Sequence, residues 1–190
     1  MKGDFSLNAN GIVLAYKGKK PKIAENVFLA PNCSVVGYVE IGTGASIWFG
    51  AAVRGDFQPV RIGVFTNIQD NATVHVMYDT PTEIGNYVTI GHNAVIHCRK
   101  IGTNTLIGMG SIILGYSEIG ENCIIGAGTL LPQYKKIPDN CLVFGNPAKI
   151  MRAIRDDEIE ALRAASMQYH ESARQYAQYL SSRGMFEELD

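Results

Sequence analysis

Neither positive nor negative charge predominates in this sequence. Its 17 lysine and arginine residues stand against 18 aspartate and glutamate residues, so the formal net charge at pH 7 is −1. Nucleic-acid-binding domains usually carry a clear excess of basic residues, and an acidic tail would indicate a basic partner. Binding to nucleic acid or to a strongly charged protein is therefore not expected.

Long apolar segments are also missing. No apolar run approaches the roughly 20 residues that a membrane-spanning helix requires. Residues 1–5, MKGDF, do not begin the apolar core of a signal peptide. These two absences predict a cytoplasmic protein that does not enter a membrane.

The four cysteines are not arranged in pairs. No Cys-x-x-Cys motif is present, which excludes the common cysteine-based zinc fingers. Cys33, Cys123 and Cys141 fall at small-residue positions of the repeat described next, where a thiol behaves as a compact apolar side chain. Cys98 directly follows a histidine, and its position is less easily explained. We interpret all four as buried structural residues.

What the sequence contains instead is a six-residue repeat. An Ile, Leu or Val usually recurs at every sixth position, and a mostly small residue follows it four positions later. The aliphatic positions are Ile23, Leu29, Val35, Ile41, Ile47, Val53, Ile62, Ile68, Val74, Ile84, Ile90, Ile96, Ile101, Ile107, Ile113, Ile119, Ile125, Leu131, Ile137 and Val143. This periodicity is typical of a parallel β-helix, in which each short strand stacks on its equivalent in the next coil.

Three hexapeptides form one triangular coil, whose three faces we number in chain order. The repeat predicts an all-β fold of about six to seven coils over residues 23–148. Residues 1–22 are expected to form an N-terminal capping strand or hairpin, because an open end of a β-helix is an unpaired edge. Residues 149–190 are expected to form a linker and an α-helix, with an amphipathic pattern over 156–182. We interpret His170 on this helix as a surface residue.

The repeat is interrupted at three places. The interval is nine residues from Val53 to Ile62, ten from Val74 to Ile84, and five from Ile96 to Ile101. Each interruption follows the third face of a coil, so all of them gather at one edge. Irregular segments grouped on a rigid scaffold are where functional residues are usually found.

Two histidines share one column beside these interruptions. Side chains alternate along a strand, so Arg54, His75 and His97 are expected to point outward from the third face in successive coils. Equivalent backbone positions in neighbouring coils are about 4.8 Å apart. Two imidazole nitrogens that bind one zinc ion must lie within about 4 Å of each other. His75 and His97 are therefore candidate metal ligands, although histidines also fall close together by coincidence.

A third histidine, His92, lies on the second face of the coil. It is separated from His97 by five extended residues, roughly 16 Å at about 3.3 Å per residue. A homotrimer would bring the second-face edge of one subunit against the third-face edge of the next. Three histidines leave one coordination position open, as in catalytic zinc sites. Zinc lowers the pKa of a bound water to about 7, which suits hydration of CO2 or a hydrolysis.

Several motifs together resemble those of the gamma-class carbonic anhydrases. They are Arg54-Gly55-Asp56, residues 67–71 (NIQDN), His75, and residues 91–97 (GHNAVIH). The resemblance covers nearly the whole chain, including residues 145–148 (GNPA). It implies a left-handed β-helix trimer that acts on CO2 and bicarbonate. It also implies zinc, with iron or cobalt as alternatives, bound by His75 and His97 of one subunit and His92 of the next.

The resemblance also implies roles for other polar residues. Arg54 would pair with a carboxylate across the subunit interface, where Asp70 matches the family's partner residue and Asp56 belongs to the same polar cluster. Gln69 matches the side chain that orients the attacking hydroxide, and Tyr169 matches an aromatic hydroxyl near the metal. A plain structural ion pair between Arg54 and Asp70 is the alternative to a catalytic role.

The chain departs from the well-studied active members at one loop. Those members carry an acidic loop with glutamates that move protons to solvent. Here the two insertions, residues 57–59 (FQP) and 77–81 (MYDTP), contain no glutamate, and the nearest is Glu83. A proton must leave on each turnover, so hydration without a shuttle is expected to be slow or dependent on buffer.

Two other functions remain open. The scaffold also resembles hexapeptide acyltransferases and could belong to an acyl-CoA thioesterase; the transferases use an interfacial histidine as a general base. Alternatively, the chain is a metal-binding structural homologue with little hydration activity. Retained activity after metal removal would indicate the first alternative, and a metal-dependent trimer without turnover would indicate the second.

Overall fold

Inward-facing aliphatic side chains build the fold. In the computed structural model, which describes residues 7–8 and 11–183, every repeat position except the half-buried Ile23 is buried. β-branched side chains pack well on a pleated surface that is covered on one side. The resulting ladders form one continuous core along the axis of the solenoid.

The strands are short and follow the repeat. In chain order the described strands are β1 (Leu7–Asn8), β2 (Ile12–Leu14), β3 (Lys22–Ile23), β4 (Phe28–Leu29), β5 (Ser34–Ile41), β6 (Ser46–Ile47), β7 (Ala52–Ile62), β8 (Asn67–Ile68), β9 (Thr73–His75), β10 (Thr82–Ile84), β11 (Thr89–Ile90), β12 (Val95–Ile96), β13 (Lys100–Ile101), β14 (Leu106–Ile107), β15 (Ile112–Ile113), β16 (Glu118–Ile119), β17 (Ile124–Ile125), β18 (Leu130–Leu131), β19 (Lys136–Ile137), β20 (Cys141–Phe144) and β21 (Lys149–Ala153). One described helix, α1 (Asp156–Ser181), follows them.

The strands stack in register as parallel ladders. The second face is a nine-stranded sheet in the order β1-β4-β6-β8-β11-β14-β17-β20-β21. The first and third faces form one twelve-stranded sheet, because β5 and β7 run around the edge that joins them. Equivalent repeat positions pair, as Ile84 does with Ile101. A parallel β-solenoid of about seven turns with a C-terminal helix is thus confirmed, while its left hand and the trimer remain predictions.

The two longer interruptions have different structures. Residues 57–59 were expected to form a loop, but they continue strand β7 as an irregularity opposite β5, where the register shifts between Gly37 and Val39. Gly37 has a φ of +79°, and a Cβ there would lie 2.5 Å from the Gly55 carbonyl oxygen. Only glycine allows the two backbones to come this close. Residues 77–81 form an irregular loop, as the sequence predicts.

The ends of the solenoid carry additional strands. β1 and β2 stack in parallel on β4 and β5, and a tight turn closes between Tyr16 and Lys19. β21 folds back antiparallel onto β20. Residues 1–6, 9–10 and 184–190 lie outside the described part of the chain, and the predicted boundaries at 22 and 148 stay predictions.

Helix α1 packs against the second face, over strands β4, β6, β8 and β11. Its buried side includes Ser166, whose hydroxyl donates a 2.5 Å hydrogen bond to the Phe65 carbonyl. The interpretation of His170 as a surface residue is wrong. Its Nδ1 lies 3.1 Å from the Gly44 carbonyl, and its ring stands edge-on to Phe65 with centroids 5.0 Å apart. Across the residues that the structure describes, no helix is both long enough and apolar enough to cross a membrane.

Candidate metal centre

Strands β7, β9 and β12 position one column of polar side chains on the third face. Arg54 pairs in register with His75, and His97 directly follows β12, which stacks on β9. The ring centroids of His75 and His97 are 5.2 Å apart. The structure therefore brings together the two imidazoles that the repeat places on neighbouring coils.

The carboxylate of Asp56, which lies in the coil before that of His75, contacts two side chains of this column. The Oδ1 atom of Asp56 lies 2.8 Å from Nε2 of His75, and its Oδ2 atom contacts the Arg54 guanidinium. Burial alone would raise the pKa of Asp56, but the hydrogen bond with His75 and the charge of Arg54 outweigh it and hold the pKa below its usual value. Asp56 is therefore ionised at neutral pH.

The environment of His97 favours the neutral imidazole. Burial lowers the pKa of His97, and the neighbouring His75 lowers it further. Metal ions bind the neutral ring through an unprotonated nitrogen. The chemistry of the pair thus fits a metal such as zinc, which accepts imidazole ligands.

Cys98 is not available as a further ligand. Its side chain faces the core, and burial raises the pKa of the thiol to about 12. Metals bind the thiolate, which this environment disfavours. The other three cysteines are also free and buried, in agreement with the structural interpretation.

Two aromatic residues that were not predicted as site residues lie close to His75: Phe57 contacts its ring, and Tyr78 contacts Phe57. The rings of Phe57 and His75 meet with centroids 6.2 Å apart, and those of Phe57 and Tyr78 are 5.3 Å apart. Both aromatic residues belong to the interruptions of the repeat. Their position there was the only sequence signal, because side-chain direction in irregular segments cannot be read from periodicity.

His92 lies at a different corner, between the second and third faces. Its Nδ1 is 2.9 Å from Oδ2 of Asp70 on the neighbouring coil, and the two side chains are 37% and 35% exposed. In the single chain, Arg54 thus contacts Asp56 and not Asp70. Any pairing of Arg54 with Asp70 requires a second subunit.

Gln69 lies near the same corner and is buried. Its Nε2 donates a hydrogen bond of 3.1 Å to Oδ1 of Asn67, and Asn67 in turn donates one of 2.9 Å to the Thr89 hydroxyl. This network fixes the orientation of the Gln69 amide. Its Oε1 atom is left as the hydrogen-bond acceptor.

Tyr169 of α1 is on the Asp70 side of the chain. Its ring stands edge-on to Trp48, with centroids 5.6 Å apart. Tyr169, Trp48 and Asp70 line a groove of about 360 Å³. Burial raises the pKa of Tyr169, and the charge of Asp70 adds to the effect. Tyr169 is therefore a hydroxyl donor at neutral pH that faces the Asp70 region.

The sequence-predicted residues therefore divide into two groups. Arg54, Asp56, His75 and His97 form a third-face group, while Gln69, Asp70, His92 and Tyr169 lie around the second-face corner. Among the described residues of one chain, no three His, Cys, Asp or Glu side chains are close enough to hold a metal ion.

Comparisons with known proteins show which families this chain is similar to. The family described as "Bacterial transferase hexapeptide (six repeats)" matches residues 100–133. A carbonic anhydrase of Geobacillus kaustophilus is 44% identical over 165 residues, which cover 87% of this chain and 91% of that protein.

Two further similarities extend this result. The mitochondrial gamma carbonic anhydrase 2 of Arabidopsis thaliana is 38% identical over 84% of this chain, which spans 59% of the plant protein. The crystal structure of a hexapeptide transferase family protein from Anaplasma phagocytophilum superposes with a TM-score of 0.83 at 37% identity, over 88% of this chain and 99% of that chain. These similarities extend over most of the chain.

Proposed function

Because the chain belongs to the gamma carbonic anhydrase family, we propose that it is a zinc-dependent carbonic anhydrase. It would interconvert CO2 and bicarbonate at three equivalent sites of a homotrimer. His75 and His97 of one subunit and His92 of the partner subunit would bind the metal.

One observation carries this proposal. His75 and His97 are neighbours with ring centroids 5.2 Å apart, whereas His92 occupies another corner and contacts Asp70 instead. Two imidazoles supply only half of a tetrahedral zinc site. A third ligand from a second copy of the chain would leave one position open for substrate.

The bound metal would lower the pKa of a water molecule to about 7 and so supply the nucleophile for CO2 hydration. The residues of the chain support this chemistry. Asp56 fixes the ring of His75, and Arg54 balances the charge of Asp56. The Oε1 atom of Gln69 would accept a hydrogen bond from the nucleophile and so orient it. Tyr169 would provide a hydroxyl group near the metal.

An exposed apolar surface beside the histidines supports the proposed assembly. Val95 and Ile112 pair in register on neighbouring coils and are 39% and 40% exposed, and Met109 is 58% exposed. Val95 lies between His92 and His97 in the chain. Apolar side chains placed in this way would be covered when the second-face corner of one subunit meets the third face of the next.

Mixed trimers provide the sharpest test of the shared site. His75→Ala and His92→Ala subunits should each be inactive alone, because every site lacks one ligand. When the two variants are unfolded, mixed in equal amounts and refolded together, each mixed trimer regains one intact site. CO2 hydration and bound zinc should then recover to roughly a quarter of the wild-type level, the share expected for random mixing.

Mixing His75→Ala with His97→Ala is the matched control, because both changes fall on the same half of the site and no intact site can form. Equal recovery in the two mixtures would contradict the proposal. Elemental analysis of the freshly purified protein, together with its oligomeric mass, gives the native metal and the stoichiometry. A monomer that retains a full complement of metal would also contradict it.

The similarity to hexapeptide transferases over residues 100–133 favours acyl transfer as a second candidate. A transferase of this kind needs one histidine as a base and no metal. Full activity toward an acyl-CoA after removal of zinc would support that function. A zinc-loaded trimer that neither hydrates CO2 nor transfers acyl groups would instead be a structural homologue.

A further inference from the structure

Two aromatic rings lie next to each other on the outside of the solenoid, and one of them contacts His75. Phe57 belongs to the irregular part of β7, and Tyr78 to the loop at residues 77–81. Their ring centroids are 5.3 Å apart, and Phe57 also packs edge-on against His75 at 6.2 Å. The two longer interruptions of the repeat therefore meet at one of the proposed metal ligands.

These rings are exposed in the single chain although they are large and apolar. Phe57 is 52% exposed and Tyr78 is 79% exposed. Gln58 Nε2 donates a hydrogen bond of 3.4 Å to the Tyr78 carbonyl and so links the two segments. Exposed aromatic rings linked in this way are poorly explained by core packing, since the core is already filled by the aliphatic ladders.

We infer that Phe57 and Tyr78 determine substrate specificity by forming an apolar wall that leaves room for CO2 but not for an acyl ester or thioester. The inference rests on the proposed function of the neighbouring histidines. In the proposed trimer the opposite wall comes from the partner subunit's second-face corner. The two rings thus determine which molecules reach the site, and they take no part in the reaction itself.

The physical basis is the size and polarity of the substrates. The apolar shell around a metal site controls access of solvent and the local polarity. CO2 is small, linear and uncharged, so it passes an apolar wall without giving up hydrogen bonds. An acyl ester needs the volume that the two rings occupy, and its polar carbonyl would leave water for an apolar surface.

The test compares zinc-loaded trimers carrying Phe57→Ala, Tyr78→Ala or both changes. We expect the ratio of 4-nitrophenyl acetate hydrolysis to CO2 hydration to rise about tenfold or more in the double variant, within the range that a few hydrocarbon groups in a pocket provide. A second readout is independent of turnover. Excess EDTA should remove zinc faster from the double variant, because the chelator is larger than CO2 and meets less obstruction.

Control variants remove other rings or keep the bulk. Phe144→Ala and Tyr179→Ala remove rings that are 43% and 55% exposed elsewhere on the surface, and neither should change the ratio or the rate of zinc loss. Phe57→Leu and Tyr78→Phe retain most of the volume of the wall. They should behave as the wild type.

Two results would overturn the inference. One is a double variant whose ester-to-CO2 ratio and zinc loss equal those of the controls. The other is dissociation of the double variant into monomers, because the rings would then hold the assembly together. A zinc-loaded wild-type trimer that does not hydrate CO2 would contradict the proposed function but not this inference. In that case the rates of ester hydrolysis and of zinc loss would still show whether the two rings restrict access to the site.

Discussion

His75 and Asp56 are joined by a contact of 2.8 Å between Nε2 and Oδ1. Because Asp56 is ionised, the attractive arrangement places the proton of the neutral imidazole on Nε2 and leaves the lone pair on Nδ1. Metal-binding histidines commonly donate their other ring N–H to a carboxylate, which fixes the orientation of the ring. Asp56 is thus expected to act through His75 in metal binding.

Asp56→Asn should weaken zinc binding by about 10–100-fold, the usual effect of losing such a supporting group. An amide can donate as well as accept, so it no longer selects one tautomer of His75. The dissociation constant of zinc can be measured by competition with a chromogenic chelator. The trimer should persist at high protein concentration.

Asp79→Asn is the matched control for this change. Asp79 is an exposed carboxylate in the loop near His75, and it accepts a hydrogen bond of 2.9 Å from the Tyr116 hydroxyl. The zinc affinity of the Asp79→Asn variant should equal that of the wild type. Equal weakening in both variants would show that general loss of negative charge, and not the contact with His75, is responsible.

Val95→Glu should prevent assembly of the trimer. A carboxylate at this exposed apolar position would be buried without a partner in the proposed interface, which is strongly unfavourable. We expect a monomer by light scattering at micromolar concentration, with little retained zinc. Met167→Glu is the control, because Met167 has the same exposed fraction, 39%, on the outer side of α1. A trimeric Val95→Glu variant would place the interface elsewhere.

The column of His75 and His97 could be predicted from the sequence because a hexapeptide repeat fixes both the coil and the outward direction of each residue. The same reasoning placed His92 on the second face, away from this column, and in the structure it lies where that face meets the third. Periodicity carries this information only where the repeat is regular. The contact between Asp56 and His75 was not predicted, since it depends on the irregular path of β7 after Gly55.

Two other misses have related physical causes. Residues 57–59 continue a strand because the neighbouring strand has its own irregularity at Gly37, a coupling between distant segments that spacing does not reveal. His170 was assigned to the surface because a helical pattern shows one apolar stripe but not which groups of the solenoid lie against the helix. The carbonyl of Gly44 supplies its partner there.

Ile101→Ala should destabilise the solenoid by about 2–5 kcal/mol, the range for truncating a fully buried aliphatic side chain. Ile101 is 1% exposed and pairs with equivalent isoleucines above and below. The free energy of unfolding in urea measures the effect. Lys100→Ala, one residue earlier on β13 and facing outward, should change it by no more than about 0.5 kcal/mol. Similar losses in both variants would contradict the assigned ladder.

The outward side of the first face carries charges of alternating sign on successive coils. Registered pairs follow one another along the whole face. The members of this charged ladder are Lys22, Glu40, Arg61, Glu83, Lys100, Glu118 and Lys136. Arg61 contacts both of its neighbours, Glu40 at 3.3 Å and Glu83 at 3.4 Å.

Arg61→Glu should destabilise the protein by about 1 kcal/mol at low salt, because like charges on neighbouring strands repel. The pairs are exposed, so the energy is modest and is reduced as added salt screens the charges. Melting temperatures at low and at molar salt measure this dependence. Arg61→Gln, which removes the attraction without adding repulsion, should lie between the two proteins. A difference that does not depend on salt would point to lost packing of the arginine side chain instead.

The start of α1 gives a prediction for pH. Hydrogen bonds from Arg152, at 2.8 and 2.7 Å, and from the Arg155 N–H, at 2.9 Å, lower the pKa of Glu158 to about 2. Since the pKa is lower in the folded state, ionised Glu158 stabilises the fold at any pH above the ordinary glutamate value. This stabilisation is lost as the pH falls toward 2. Glu158→Gln should therefore lower the melting temperature at pH 7, and the gap from the wild type should narrow as the pH falls. Glu160→Gln, two residues further along the helix and outside these hydrogen bonds, is the control and should not reproduce this gap. A gap of constant size for Glu158→Gln would rule out ionisation as its cause.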